Sequence, residues 1–447
     1  SPGRSASVRR TQTLVCAAQT LNDPVIAAAA ARDASYMLRP NYGARGIATG
    51  TNNTDLIRQV GGLANACYRG DVSARDRAWA NTVAVARGLV QPDGSDVEGS
   101  PWYAIYTEEL IHDAERIAAA CGIPASPLPE LRASMVEFVA QSTRPDFQLE
   151  ELGDTVAKSL PATFGEGDPR AAWVQSKGTS GAPPTSIYST FAGGYVFGRA
   201  GWQPRPGGPD TYYSVRFSSS RPRTAHTHDD GGGLTIYSRG VPWITDRGPF
   251  RYENASALRA FVRTRAAHSA VTVGKVARTW PGVTRLVKSG SDWQQGGNDT
   301  TCVRDDTWKT VGLTRCIEYI RSVDAVVVVD YVNATEGVGK RAKKRFVWER
   351  WQLTPGLSAS NTSDSVTLAS GDKRLDIIKS GPGSWSVDIA SGANSIGWQT
   401  GKWGERLPSA VLNRKAVIGQ APGTYSLVTV FVPRTDGEQV PVTIDSA

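Results

Sequence analysis

"FGEGDPRAAWVQSKGTSGAPPTS", residues 164–186, is where the chain changes its periodicity. Its density of Gly, Pro and Ser marks a connection between elements. Before it, apolar residues recur near i, i+3, i+4 and i+7 in residues 23–38 (DPVIAAAAARDASYML), 52–70 (NNTDLIRQVGGLANACYRG), 73–90 (SARDRAWANTVAVARGLV), 106–122 (YTEELIHDAERIAAACG) and 127–142 (PLPELRASMVEFVAQS), the spacing of amphipathic helices. After it the pattern alternates, as in 193–202 (GGYVFGRAGW), 211–219 (TYYSVRFSS), 325–334 (AVVVVDYVNA), 344–353 (KRFVWERWQL) and 425–433 (YSLVTVFVP), which is the period of half-buried strands. The chain therefore reads as an α+β multidomain protein. A helical domain over residues 1–185 precedes a large antiparallel β-sandwich domain over 186–447, with a smaller C-terminal β subdomain from about residue 366.

Punctuation within the helical half supports this. Asp23, Asn52 or Asn53, and Ser73 stand where N-caps belong, and Gly70, Gly88 and Gly122 where helices end. The short connections predict antiparallel neighbours.

The whole chain has 447 residues, 40% hydrophobic and 21% charged, a composition typical of globular proteins. No apolar run approaches the ~18 residues of a spanning helix; VIAAAAA (25–31) and VDAVVVVDYV (323–332) are core-sized. The opening SPGRSASVRR has no apolar signal core, which suits the mature form of a secreted protein. Five cysteines suit an oxidising compartment. Cys302 and Cys316 bracket a hairpin-like stretch and Cys67 pairs with Cys121 in one scheme, but Cys16 can replace either partner and spacing does not fix the connectivity. The net charge of +8 points to an anionic partner. Arginines crowd 221–265, and their planar forks suit carboxylates, sulfates and phosphates. Zinc-finger spacing and RNA-binding signatures are absent, so nucleic acid is not the expected partner.

Two of only four histidines fall within "RTAHTHDDGGGLTIYSRGVPWITDRG", residues 223–248. On a strand, residues i and i+2 share a face, so His226, His228 and Asp230 are expected to point one way. Asp246 ends the next strand and His268 begins another. Imidazoles and carboxylates from several strands suit a transition metal, zinc above all.

The stretch 226–273 (HTHDDGGGLTIYSRGVPWITDRGPFRYENASALRAFVRTRAAHSAVTV) resembles the region shared by heparinase II/III-like polysaccharide lyases. The resemblance extends to 193–202, to 89–106 (LVQPDGSDVEGSPWYAIY) and to 50–66 (GTNNTDLIRQVGGLANA), in the family's order. It implies an α/α toroid, here incomplete, joined to an antiparallel β-sandwich, with an active site between the two domains that cleaves uronic acid-containing polysaccharides by β-elimination. It implies that His228, Asp246 and His268 hold zinc or another divalent metal in a structural role. His226 matches a catalytic-site histidine, Tyr103 the proton donor and Asn53 the residue that polarises the substrate carboxyl group. Where the family has Asn-His at the helix start this chain reads Asn52-Asn53-Thr54, and Ala104 stands where a His often follows the tyrosine.

The chemistry makes its own demands. Removing the C5 proton of a uronate requires neutralisation of the adjacent carboxylate, together with a base and an acid for the departing O4. Tyr103 and Tyr252 are the candidate phenols. Asn52, Glu98, Trp102, Tyr106, Arg221, Arg223, Arg251 and Arg263 complete the expected substrate-binding set. Two other readings remain: a toroid-type glycoside hydrolase using acids among Asp96, Glu98, Glu108 and Glu109, and a non-catalytic protein that binds acidic glycans.

Overall fold

A computed structural model describes residues 2–37, 52–124, 127–203, 208–217, 226–251, 256–274, 276, 283–334, 345–389, 396–402, 404–418, 423–440 and 442. The chain forms two compact units, one from Ser1–Ala140 with Leu160–Ala182, the other from Gln141–Ser159 with Pro183–Ala447.

The first unit is helical, with α1 (Pro2–Leu21), α2 (Pro24–Met37), α3 (Asn53–Tyr68), α4 (Val72–Leu89), α5 (Pro101–Ala120), α6 (Leu128–Gln141) and α7 (Pro169–Gln175). Helix α3 is its centre, packing on α1, α2, α4 and α5. Its buried face carries Leu56, Ile57, Val60 and Leu63 at helical spacing. The Asn52 side chain caps α3 by accepting from the Asp55 amide. Helix α4 is capped by Asp71, two residues before the expected Ser73, because the helix starts earlier than its first apolar repeat. Gly70 and Gly122 have positive φ at the ends of α3 and α5, whereas Gly88 lies inside α4. The Cys67–Cys121 disulfide joins those two helix ends. Gly94 has φ +88°, and a Cβ there would sit 1.9 Å from the Ser134 carbonyl oxygen, so the turn between α4 and α5 admits no side chain.

The second unit is built on two antiparallel sheets. In chain order its strands begin with β1 (Tyr188–Phe191), β2 (Tyr195–Arg199), β3 (Tyr212–Arg216), β4 (Leu234–Ser238), β5 (Val241–Thr245) and β6 (Val271–Gly274). Then come β7 (Thr284–Ser291), β8 (Asp299–Asp305), β9 (Val311–Ile320), β10 (Ala325–Ala334), β11 (Arg345–Leu353), β12 (Ser358–Asn361) and β13 (Ser365–Ser370). The last are β14 (Lys373–Ser380), β15 (Ser384–Ile389), β16 (Trp398–Thr400), β17 (Arg406–Pro408), β18 (Ala410–Ile418) and β19 (Gly423–Thr435). One sheet runs β1-β2-β3-β4-β5-β11-β18-β15, with β6 also on β11; the other runs β12-β13-β14-β19-β10-β9-β8-β7. Strands β16 and β17 form a separate pair.

Alternate residues of both sheets meet in one core, including Val196, Val215, Trp351 and Leu412 from the first and Ile317, Val328, Leu375 and Phe431 from the second. Strands β13, β14, β18 and β19 are interior members of these sheets, so no separate C-terminal subdomain begins near residue 366. Cys302 faces Cys316 across the β8–β9 pair, and the two are bonded. Cys16 is exposed and free.

Residues 141–159, expected within the helical domain, belong to the strand-bearing unit. The reason is polar. Arg199, fully buried in β2, donates to the carbonyls of Gln141 and Thr143, and Thr245 donates to Glu151. Among the described residues no helix is long and apolar enough to cross a membrane.

Candidate functional site

The helical unit holds one group of the expected residues. The two helices that carry them start close together, because the Asn53 amide donates to Glu98 Oε1 at 2.9 Å. Glu98 is itself held by its amide, which donates to Asp96 Oδ1 at 2.6 Å. Burial pushes the Asp96 carboxyl up to about 6, against the pull of that hydrogen bond. Pro101 opens α5 and places Trp102 and Tyr103 in its first turn, with Tyr106 three residues on and hence on the same side of the helix as Tyr103. Asn53, Trp102, Tyr103 and Tyr106 are half-buried, and Glu98 is buried.

The second group lies in the strand-bearing unit, and at its centre is a residue the sequence reading did not single out. Asp154 is fully buried. Its Oδ2 lies 2.8 Å from His226 Nδ1 and its Oδ1 lies 2.9 Å from His228 Nε2. Arg259, in a short helix α8 (Ala257–Val262), donates to both oxygens at 2.6 and 2.9 Å. Burial alone would favour the neutral acid, but the hydrogen bonds of His226, His228 and Arg259 outweigh it and hold the carboxyl far below its usual range. An ionised carboxylate only accepts, so both facing ring nitrogens carry protons.

Residues 226–230 form an irregular turn before β4 rather than a strand. His226 and His228 thus converge on one carboxylate without sharing a strand face, and Asp230 turns away to pair with Arg216 at 3.1 Å. Asp229 pairs with Arg265, which also reaches Asp305 at 2.6 Å. The two acids after the histidines are therefore counter-charges for buried arginines.

His228, Asp246 and His268 do come together. Each offers one ligand atom, and these atoms lie within 4.8 Å of one another. The His228 and His268 rings are 5.4 Å apart, and His268 Nδ1 lies 2.9 and 2.8 Å from the Asp246 oxygens. Asp246 follows β5 and His268 precedes β6, and the loop between them is braced by Arg247, buried, which donates from Nε to the Ala267 carbonyl. Burial lowers the His228 pKa more than Asp154 raises it. His268 is instead raised, because Asp246 outweighs its burial, and the same pairing holds Asp246 low against its own burial.

These residues fit a divalent ion. His228 Nδ1 and His268 Nε2 are buried and have no hydrogen-bond partner among the described residues, a costly state for a polar atom unless something else binds there. Two neutral imidazoles and a carboxylate are a donor set that zinc accepts.

Residues 187–410 match the family model described as "Heparinase II/III-like, C-terminal". The chain belongs to the heparinase II/III-like family. Solved structures with the same fold include a heparinase III at 15% identity (TM-score 0.80, covering 97% of this chain and 70% of that one). A heparan sulfate lyase from Pedobacter heparinus matches at 16% identity (TM-score 0.72, 92% and 63%). A Streptomyces coelicolor A3 chondroitin AC lyase, solved with chondroitin sulphate, matches at 13% (TM-score 0.54, 95% and 66%). The chain thus spans roughly two thirds of the length of these structures. No curated protein sequence matches it.

For this heparinase II/III-like chain, the other expected substrate-binding residues divide. Arg263 is half-buried, and its guanidinium reaches the Thr227 carbonyl at 3.5 Å. Arg251 stacks its guanidinium 5.4 Å from the Phe250 ring. Arg221, Arg223 and Tyr252 lie outside the described residues. Asp154 and Arg259 escaped the sequence reading because a lone acid in the loop "ELGDT" and one arginine among many carry no spacing signal.

Proposed function

We propose that this protein is a polysaccharide lyase that cleaves a uronic acid-containing polysaccharide by β-elimination. The observation that carries the reading is the Asp154 cluster beside the His228–Asp246–His268 triangle, in a chain whose fold is shared with solved structures named as lyases. We read the helical unit as the incomplete α/α toroid of this family.

In the reaction a base removes the C5 proton, and the electron pair forms the C4–C5 double bond as the C4–O4 bond breaks and O4 takes a proton. His226 suits the base, because Asp154 accepts from its Nδ1, which places the lone pair of the neutral ring on Nε2. Tyr103 suits the acid that protonates O4. The uronate carboxylate, whose charge grows as the proton leaves, needs a donor, the role that the resemblance gives Asn53. The triangle would hold zinc or another divalent ion. When bound, that ion supplies cross-linking of the loops after β5 and before β6 to the turn that carries His226. The two disulfides suit secretion into an oxidising compartment.

A panel of acidic polysaccharides tests the reading. A lyase generates the ultraviolet absorbance of a 4,5-unsaturated uronate, whereas reducing ends without that absorbance would indicate hydrolysis and overturn the proposal. A second reading, a non-catalytic protein that binds acidic glycans, is favoured by the missing helix-start histidine, since the chain reads Asn52-Asn53-Thr54 there. It predicts binding without turnover across the same panel.

A further inference from the structure

We propose that Asp154 is a positioning residue that fixes opposite tautomers in two histidines at once, Nδ1–H in His226 and Nε2–H in His228. This inference rests on the reading of His226 as substrate-facing and of His228 as metal-facing, and it adds a residue to which neither role had been attached. The argument is geometric. One carboxylate has two oxygens, and each lies within 2.9 Å of a different imidazole nitrogen. The nitrogens differ in kind: the δ nitrogen of one ring and the ε nitrogen of the other. Since the carboxylate can only accept, the proton of each neutral ring is drawn to the facing nitrogen, and the lone pair is left on the opposite one.

The result is complementary. His228 keeps its lone pair on Nδ1, a buried nitrogen with no hydrogen-bond partner among the described residues, in a ring that clusters with Asp246 and His268. A ligating histidine whose other ring N–H is donated to a carboxylate is held in orientation and made a better donor. His226, half-buried, keeps its lone pair on Nε2, the form a base requires. Arg259 makes the arrangement single-valued. Its two nitrogens grip the same two oxygens, so the carboxyl plane cannot rotate to serve one ring at the expense of the other. Ion binding at the triangle and the state of His226 are in this way linked through one side chain.

The test uses the full chain with 15N-labelled histidine. Only four histidines occur, so long-range 1H–15N correlations assign each ring's tautomer, with His226→Gln and His228→Gln identifying the signals. The expected result is Nδ1–H for His226 and Nε2–H for His228. Asp154→Asn retains one acceptor and gains a donor, so it can serve only one of the rings as an acceptor. It should switch or mix the tautomer of at least one of them and weaken zinc binding, measured by competition with a chromogenic chelator, by roughly 10- to 100-fold. Should Asp154→Asn fail to fold, the native spectrum alone decides. The opposite tautomer in either ring of the native protein overturns the proposal, and so does a folded Asp154→Asn with unchanged tautomers and unchanged zinc affinity. Native tautomers as stated, in a protein that eliminates no uronate polymer, would instead overturn the lyase reading and leave the role of Asp154 intact.

Discussion

Replacing Asp96 by Asn should remove a pH dependence that is written into the helical unit. The Asp96 side chain is 1% exposed, and burial raises its carboxyl from 3.8 to about 6. The folded protein therefore binds a proton between pH 4 and 6 that the unfolded chain has released. Stability from this group is fully present below about pH 4 and is lost as pH rises through 6. A shift of about two units corresponds to about 3 kcal/mol between pH 4 and pH 8. Asn keeps the Oδ1 that accepts the Glu98 amide and cannot ionise. Urea denaturation of both proteins, followed by tryptophan fluorescence at pH 4, 6 and 8, should show the variant gaining on the native protein by about 3 kcal/mol across that range. Parallel pH curves would refute the reasoning, because they would mean that Asp96 titrates at its ordinary value. The same experiment reports on the site, since Asp96 holds Glu98, which in turn holds the Asn53 amide.

Other substitutions probe the remaining claims. Tyr103→Phe should leave folding intact while turnover of the best substrate falls by roughly 10²- to 10⁴-fold, and Tyr106→Phe should cost much less; the reverse order would move the acid to the neighbouring phenol. His228→Ala should abolish a stoichiometric metal content, seen by elemental analysis after dialysis, and lower the melting temperature. A native protein that is metal-free yet equally stable with and without added zinc contradicts the structural role given to the ion. Trp351→Ala, at the centre of the β core and packed edge-on against Phe431, should destabilise by about 3–5 kcal/mol in chemical denaturation. A loss below about 1 kcal/mol would show that the two sheets do not share that core.

The division of the chain was legible because periodicity follows from which face is buried. The alternating stretch 325–334 is strand β10, the stretch 344–353 contains β11 (Arg345–Leu353), and helix α3 has its apolar face at helical spacing. Strand β18 was not singled out, and its inward side explains why. Arg414 faces the interior there and meets Glu349 of β11, so charge occupies a position where alternation would call for an apolar side chain. Burial and the nearby Asp330 raise Glu349 in that setting, against the pull of Arg414. The clustering of His228, Asp246 and His268 was readable from residue type and from the ends of β5 and β6, although His228 lies on a turn and not on the expected strand. The roles of Asp229 and Asp230 were not, because nothing in "HTHDD" distinguishes a ligand from a counter-ion to an arginine elsewhere in the chain. Asp154 was the hardest to see, being 72 residues from His226 and 105 from Arg259, beyond any local pattern.

Residues 141–159 have a consequence for how the protein is made. They emerge from the ribosome directly after helix α6, yet their polar partners in β2, β5 and α8 have still to be synthesised. Until Arg259 appears, Asp154 lacks the guanidinium that grips both of its oxygens, and burying the carboxylate without it is costly. The helical unit meanwhile waits for residues 160–182, which follow the segment. Neither unit can finish folding in strict order of synthesis, and a protease cut at residue 183 would not separate them into two whole parts. The amino-terminal fragment would carry away the strap, Asp154 included, that the carboxy-terminal fragment needs to order its histidines.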